Sequence, residues 1–369
     1  MKVDVAIIGA GMAGASLAAE LAPHLSVAVL EAESHAGFHS TGRSAAFWSE
    51  TYGGPLIQPL TTASGAFLAI PPSGFSDGSF LRPRRSIHVG DAEGTALLQA
   101  MLAAFDGSVA LERMDRAALE RSIPGLCPGW DTAVLEPTCA DIDVAALHQA
   151  YLRSARRAGA QIMLDAPLRE ARRAGEWRLT TPRGEVRAAI LVNAAGAWAD
   201  SVARLAEVPP AGVRPFRRTI AQIRVDPPVP GDLPLIIDAL GRFYFKPEAG
   251  GRLWLSPHDE TPCEACDSAP DEYDVALAID RLYHVVDWRV ERVEHSWAGL
   301  RSFAPDRLPV YGFADERRDF FWCAGQGGFG IQTAPAAAKL AAALLLDVEP
   351  DPIVAAISPE PYLATRFEN

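Results

Sequence analysis

The sequence predicts an α/β fold of about two domains, organised on a parallel sheet buried on both faces. Three observations predict it. At 369 residues the chain is long enough for two domains of roughly 150 residues each. Its first thirty residues read as strand, glycine turn, helix and strand. Two later passages, 190–200 and 320–333, again run from an apolar, strand-like segment through a loop of small residues towards a helix.

Taken in order, Val3–Ile8 is apolar and β-branched, the pattern of a strand covered on both faces. It enters Gly9-Ala10-Gly11-Met12-Ala13-Gly14, after which Ala15–Ala22 reads as a helix ended by Pro23. Val27–Leu30 is a second strand that closes on Glu31 and Ala32, with Glu31 about twenty positions beyond Gly11. This is the Rossmann-like dinucleotide arrangement, and each part has a physical task. Gly9 makes the tight turn, Gly11 lets backbone approach a pyrophosphate, and Gly14 lets helix pack on strand. The helix start at Met12 and Ala13 offers unpaired N–H groups and a positive dipole end to phosphate. Glu31 accepts from ribose hydroxyls and disfavours a 2′-phosphate. By itself the motif leaves NAD and FAD open.

The segment His39-Ser40-Thr41-Gly42-Arg43-Ser44-Ala45-Ala46 is small and polar with one arginine, suited to contacts along a polyol and diphosphate. Asp143 is an N-cap for a helix to Ala158, with Leu147, Tyr151 and Leu152 on one face. Gln161–Leu164 reads as a strand, and Trp177–Thr181 and Val186–Ile190 flank Pro182-Arg183-Gly184-Glu185 as a hairpin. A buried strand then turns through Asn193-Ala194-Ala195-Gly196-Ala197-Trp198 into a helix. The Pro-rich stretch Val225–Pro234 is expected as a surface loop. Finally Phe320–Ala324 leads through Gly325-Gln326-Gly327-Gly328-Phe329-Gly330-Ile331-Gln332-Thr333 into an Ala-rich helix through Leu346. The N-terminus of that helix would face the ligand, where its dipole favours the negative charge of a reduced isoalloxazine. The segments 39–46, 190–200 and 320–333, in this order, select FAD over NAD.

Composition narrows the classes further. Hydrophobic residues make up 49% and charged residues 22%, which excludes a disordered chain. Lys and Arg number 34 against 46 Asp and Glu, a net charge of -12 that argues against nucleic-acid or anionic-lipid partners. No apolar stretch reaches the length of a membrane span, and Asp4 interrupts any signal-peptide core. Five cysteines form no disulfide framework, so a reducing cytoplasm is expected. Cys263 and Cys266 form a single CxxC near His258; without a second pair it makes no zinc site, and no metal is expected. His148 is expected to be a packing or surface residue.

On these residues the chain resembles the FAD-dependent D-amino acid oxidase superfamily, most of all its bacterial D-arginine/D-amino acid dehydrogenase branch. The resemblance runs nearly end to end. Its most specific pieces are HSTGRSAA (39–46), ADIDVAALHQAYLR (140–153), LVNAAGAWAD (191–200), FYFKPEAG (243–250), WAGLRSF (297–303) and QGGFGIQT (326–333). It implies a discontinuous FAD-binding domain of residues 1–80, 141–210 and 298–369. A mainly antiparallel substrate domain of residues 81–140 and 211–297 would be inserted between these pieces. Leu168 would pack near the adenine. The flavin would be non-covalent, because the cysteine that attaches it in some relatives falls at Ala324, with Cys323 pointing the other way.

The resemblance also implies the reaction. A hydride passes from the α-carbon of an amino acid to flavin N5, and the imino acid is hydrolysed to a 2-oxo acid and ammonia. Arg301 and Arg218 match the carboxylate clamp, and strand alternation allows only one of Arg217 and Arg218 to face the pocket, Arg218 being favoured. Tyr52 and Tyr244 match two pocket phenols, and Gly328 a carbonyl that receives the amine, with Gln332 one turn further on. Where arginine-preferring relatives have a histidine beside the flavin this chain has Phe47, and where they have a glutamate it has Ser86, flanked by Arg84 and Arg85. The expected substrate is therefore a neutral or apolar D-amino acid, or an acidic one if Arg85 points inward, with D-arginine poor. Phe47 and Trp48 are expected to add apolar area.

The strand Arg252–Ser256 lacks the lysine of sarcosine-type oxidases, which points to a quinone or dye acceptor rather than oxygen. Alternatives are an oxygen-using amine, glycine or sarcosine-type oxidase and an FAD-dependent 2-hydroxy acid dehydrogenase. A tRNA-modifying flavoprotein, disfavoured by the charge, and an electron-transfer subunit are further readings.

Overall fold

The computed structural model describes residues 1–367. Among the described residues the strands form sheets of eight, ten and three strands. In the eight-stranded sheet Lys2–Ile8 lies between Val27–Leu30 and Gly184–Asn193, parallel to both. Val27–Leu30 pairs in parallel with Gln161–Met163. The strand Gly184–Asn193 changes partner along its length. Its first half takes the hairpin strand Trp177–Thr181, and its last residues pair in parallel with Phe320–Ala324. The central strand is apolar on both faces because helices cover them: Met12–Leu21, Val144–Arg157 and Ala334–Leu346 pack on one side, and Ala199–Leu205 on the other.

Local signals account for these elements. Asp143 caps the helix Val144–Arg157 by accepting from the N–H of Ala146, as its position in the sequence predicts. The first helix begins at Met12, three residues earlier than the apolar pattern implies, because Gly11 is itself the N-cap. The hairpin turn narrows to Pro182 and Arg183, and the strand Arg214–Asp226 runs through the start of the expected loop, which begins at Pro227. No helix among the described residues is long and apolar enough to cross a membrane.

The ten-stranded sheet is mostly antiparallel, the one parallel pair being Leu235–Asp238 with Ser86–Gly90. Its longest pair is Arg214–Asp226 with Arg289–Phe303. The boundary expected at 297/298 falls inside this last strand, which continues to Phe303 and there pairs with Gln326–Gly327 from the C-terminal glycine segment. A continuous ladder leaves no place for a break at that point. The three-stranded sheet of Phe47–Trp48, Ala140–Ile142 and Leu81–Pro83 sits where the segments cross over.

At this crossing Asp141 accepts from Lys246 Nζ at 2.8 Å and from Arg84 Nε and Nη2 at 2.9 and 2.7 Å. Burial works against the charge of the Asp141 carboxyl, but Lys246 and Arg84 outweigh it and hold its pKa below the ordinary carboxylate value. The stabilisation is therefore present above the unfolded-state pKa and is lost as pH falls through the lowered folded value. Asp141→Asn leaves two largely buried cations without their anion, and we expect about 3 kcal/mol of destabilisation. Urea unfolding of the variant at neutral pH checks this; an unchanged midpoint contradicts it.

Candidate functional site

One elongated cleft runs from the glycine turn after the first strand to the long strand pair of the ten-stranded sheet. At its first end Gly9 has φ +101°, and a Cβ there would meet the carbonyl oxygen of Ala194 at 2.6 Å. A Cβ on Gly14 would lie 1.9 Å from the Gly9 carbonyl oxygen, so the helix sits directly against the turn. Glu31 is buried and accepts from the backbone N–H groups of Ala10 at 2.7 Å and Glu33 at 3.0 Å. Thr41 Oγ1 accepts from the N–H of Met12 at 3.0 Å.

His148 carries a task that the sequence reading set aside. Its Nε2 donates to the Ala10 carbonyl at 2.8 Å, tying the 144–157 helix to the glycine turn. Burial lowers its pKa, so it serves as a neutral donor. A helix-facing histidine in sequence gives no sign of this partner.

Most of the expected cofactor residues line the cleft: Gly9, Gly11, Met12, Ala13, Glu31, Ala32, Ser40, Thr41, Arg43, Ser44, Ala45, Leu168, Ala194, Ala195, Gly196, Trp198, Gly328, Gly330 and Ile331. Five do not. Gly14 packs behind the turn, Ala46 faces the core, and Gly325 lies under the loop against Val310. Thr333 donates to the Phe329 carbonyl, and Gln332 is buried in hydrogen bonds to protein groups. Arg43 lines the cleft, and its guanidinium is engaged by protein groups. It donates to the carbonyls of Ser268 and Ala298 and pairs with Asp267, fastening the 39–46 segment to the other sheet. Residues the sequence did not single out also line the wall, among them Gly37, Phe38, Pro167, Ser201, Leu205 and Ile220.

At the far end the strand register settles the arginine pair. Arg218 stands opposite Gly299 and Arg301 opposite Phe216, so Arg218 and Arg301 share one face. Arg217 lies on the other face, paired with Asp271 and Asp274. Arg218 is buried; its Nε donates to the Asp259 carbonyl at 2.6 Å and its Nη2 to Glu260 at 3.3 Å, while Nη1 is buried without a partner. Burial and then the nearby Arg301 charge lower its pKa to about 10. The ring of His258 packs edge-on to Tyr244 at 5.6 Å. Burial, followed by Arg218 and Arg301, pushes the His258 pKa down to about 2, so it is neutral. This end of the cleft thus carries two guanidiniums, of which Arg218 is partly paired with Glu260 and the Asp259 carboxylate.

Around the two arginines stand aromatic rings. Arg301 lies over the Tyr52 ring at 5.7 Å, and Phe47 sits 5.4 Å from Tyr52 and 6.4 Å from Tyr244 between ring centroids. A Cβ on Gly328 would fall 2.2 Å from Tyr52 Oη and 3.0 Å from Arg301 Cζ, so these three residues converge on one point.

Other expectations fail here. Ser86 does not line the cleft; it is buried in Ser86–Gly90, opposite Glu136 and beside the Cys139 thiol. Arg84 is bound to Asp141, and Arg85 is exposed outside the cleft at φ +66°. Trp48 adds no pocket area, because it packs on Gly65 and donates to the Thr61 carbonyl. Lys246 is likewise spent on Asp141. Cys323 is buried in the core, and burial pushes its thiol up to about 12.

A sequence profile described as "FAD dependent oxidoreductase" matches residues 4–344. The chain belongs to this family of FAD-dependent oxidoreductases. The FAD-dependent oxidoreductase is 27% identical over 244 residues to human mitochondrial dimethylglycine dehydrogenase, covering 60% of this chain and 28% of that protein. It is also 27% identical over 260 residues to glycine oxidase of Pseudomonas aeruginosa, covering 65% of this chain and 64% of that one. It spans less than two thirds of either. The crystal structure of glycine oxidase from Geobacillus kaustophilus superposes with a TM-score of 0.86 at 24% identity over the whole of both chains, which establishes the shared fold.

The residues present fit FAD. The glycine turn leaves backbone where a Cβ would stand, the cleft is lined continuously from Leu168 to Arg301, and Glu31 stands beside the turn, held by the Ala10 and Glu33 N–H groups. Gly328→Ala should push Tyr52 and Arg301 apart and lower kcat/KM about a hundredfold, the size expected of a misplaced binding group. Steady-state kinetics, with flavin content measured by absorbance, checks this; full activity would refute the convergence.

Proposed function

We propose that this FAD-dependent oxidoreductase oxidises the α C–N bond of a neutral or apolar D-amino acid, giving an imino acid and then a 2-oxo acid and ammonia. One observation carries the reading: two guanidiniums with unspent donors share one face of a strand pair, and one of them, Arg301, converges with the Tyr52 hydroxyl beside Gly328. A carboxylate is the complementary group, because arginine presents two parallel donors and each phenol can add a third. Arg218 and Arg301 bind and orient the carboxylate, Tyr52 and Tyr244 close over it, and the Gly328 carbonyl receives the amine. FAD, when bound, supplies the acceptor for the two electrons that leave the α-carbon.

Tyr244 lines the cleft, and Phe47, Tyr52 and Phe329, packed ring to ring beside it, are not among its lining residues; none of the four brings a carboxylate to a substrate side chain. A guanidinium side chain would be desolvated there without a counter-ion. With Arg85 outside the cleft, an acidic side chain gains nothing either, which leaves neutral and apolar ones. D-arginine is therefore expected to be a poor substrate, although the sequence resembles the D-arginine dehydrogenase branch; its matched relatives include glycine oxidase and dimethylglycine dehydrogenase instead. Lys246, bound to Asp141, is unavailable beside the flavin, which supports a quinone or dye acceptor over oxygen.

A second reading is favoured by the relatives: glycine or an N-methylated glycine would use the same clamp with the smallest side chain. Anaerobic bleaching of the flavin by D- and L-amino acids, glycine, sarcosine and dimethylglycine, followed by admission of air, separates the two. We expect neutral D-amino acids to bleach fastest, D-arginine slowly, and air to restore the colour slowly. Bleaching by glycine derivatives alone selects the second reading, and D-arginine as the best substrate overturns both. Arg301→Lys, which loses the planar fork, should raise KM at least about tenfold.

A further inference from the structure

Tyr52 stands at the end of a short turn, Ser49–Tyr52, that is held by buried polar side chains from two separate parts of the chain. The first is Glu136, the last residue of the strand Thr132–Glu136 in the ten-stranded sheet, with no exposed surface. Its Oε2 accepts from Ser49 Oγ at 2.8 Å and Thr51 Oγ1 at 2.6 Å, and its Oε1 accepts from the Glu50 N–H at 2.6 Å. Three consecutive residues thus donate to one carboxylate. The second is Gln332, which follows the glycine loop. It accepts from the Ser49 N–H at 3.2 Å and donates to the Tyr52 carbonyl at 3.1 Å, gripping both ends of the turn, and donates to Thr61 Oγ1 at 2.9 Å.

Charge makes this arrangement informative. A fully buried carboxylate is costly, and for stability alone an apolar residue of similar size would serve as well. Burial works against the Glu136 charge, but His88, 3.9 Å away, together with the hydroxyls of Thr51 and Ser49, outweighs it and keeps the group ionised. What a charged acceptor adds is direction, since it fixes three donors of one turn in a single geometry. The Tyr52 hydroxyl makes no hydrogen bond within the described residues and meets the point where Arg301 and Gly328 converge. The backbone of Tyr52 is therefore fixed from behind while its phenol is left free for a ligand.

We infer that Glu136 is a positioning residue for the substrate clamp, acting through Tyr52, with Gln332 as the second brace. The inference rests on the reading of Arg301, Arg218 and Tyr52 as a carboxylate clamp. Its effect belongs on binding of the carboxylate rather than on the electron-transfer step, because its contacts lead to the cleft only through the turn that carries Tyr52; His88, its other neighbour, does not line the cleft.

The test is a double-mutant cycle on the flavin-loaded enzyme, using acetate as the carboxylate probe and the flavin absorbance change as the readout. Glu136→Gln keeps the shape, and its amide can still bond hydroxyls that reverse their roles. Tyr52→Phe removes the phenol hydroxyl and should weaken acetate about tenfold, the usual loss of a hydrogen bond to a charged group. Glu136→Gln should weaken it by a similar factor. The double variant should remain near tenfold rather than fall about a hundredfold, because both changes act through one contact. Independent, multiplying effects, or an unchanged acetate affinity in Glu136→Gln, would overturn the inference. If Glu136→Gln does not fold, as judged by melting temperature and flavin content, Thr51→Val carries the same cycle by removing one of the three donors. Arg301→Lys is measured in parallel. If that variant and Tyr52→Phe both bind acetate as the wild type does, the clamp reading itself falls. If Arg301→Lys alone weakens acetate, the clamp stands and only the role of Glu136 is lost.

Discussion

Two like charges on one face of a strand pair are the constraint around which the substrate half is organised. Burial of Arg218, and after it the nearby Arg301 charge, lower the Arg218 pKa, so holding two like charges here is costly. The protein offsets only part of this cost. Glu260 divides its charge between Arg218 and Arg307, and the Asp259 carboxylate stands 3.9 Å from Arg218 Nε while its backbone carbonyl takes the hydrogen bond. An anion entering the cleft would add to the partial pairing that Glu260 and Asp259 provide, which is the basis of the proposed carboxylate clamp.

The rest of the molecule keeps that end in register with the glycine turn at the other end. Three connections do this, and each joins segments far apart in sequence. Arg43 ties the 39–46 segment to the 267–268 loop and to the strand Arg289–Phe303. Asp141 joins Arg84 and Lys246 where the chain crosses between sheets. The Ser49–Tyr52 turn is bonded to Glu136 on one side and Gln332 on the other. All three use buried or half-buried charged and amide groups, which are directional, at places where apolar packing would leave the relative placement of the sheets loose.

Tight clearances do similar work in the cofactor half. Gly14 lies directly against the Gly9 carbonyl, and His148 holds the Ala10 carbonyl from the opposite side. The turn is therefore shaped before any ligand arrives, so little ordering cost remains for binding. At the other end the empty space above Gly328 is what allows the Tyr52 hydroxyl and the Arg301 guanidinium to meet.

The sequence by itself determined the parts whose physics is local. The βαβ start, the Asp143 cap, the hairpin at Pro182-Arg183 and the glycine loop before the last helix depend on periodicity, caps and turns within a few residues. It also narrowed the arginine pair, because alternation lets only one neighbour face inward. Tertiary structure decided everything that depends on which strand lies beside which. The register placing Arg301 opposite Phe216 chose Arg218 over Arg217. The strand Arg289–Phe303 runs unbroken across the expected boundary, and Ser86, Trp48, Arg85 and Gln332 each point elsewhere than a linear alignment places them. Glu136, His148 and His258 were invisible for the same reason. Their partners are separated from them by tens to more than a hundred residues or, for His258, set by the field of two arginines, and such pairings exist only once the chain has folded.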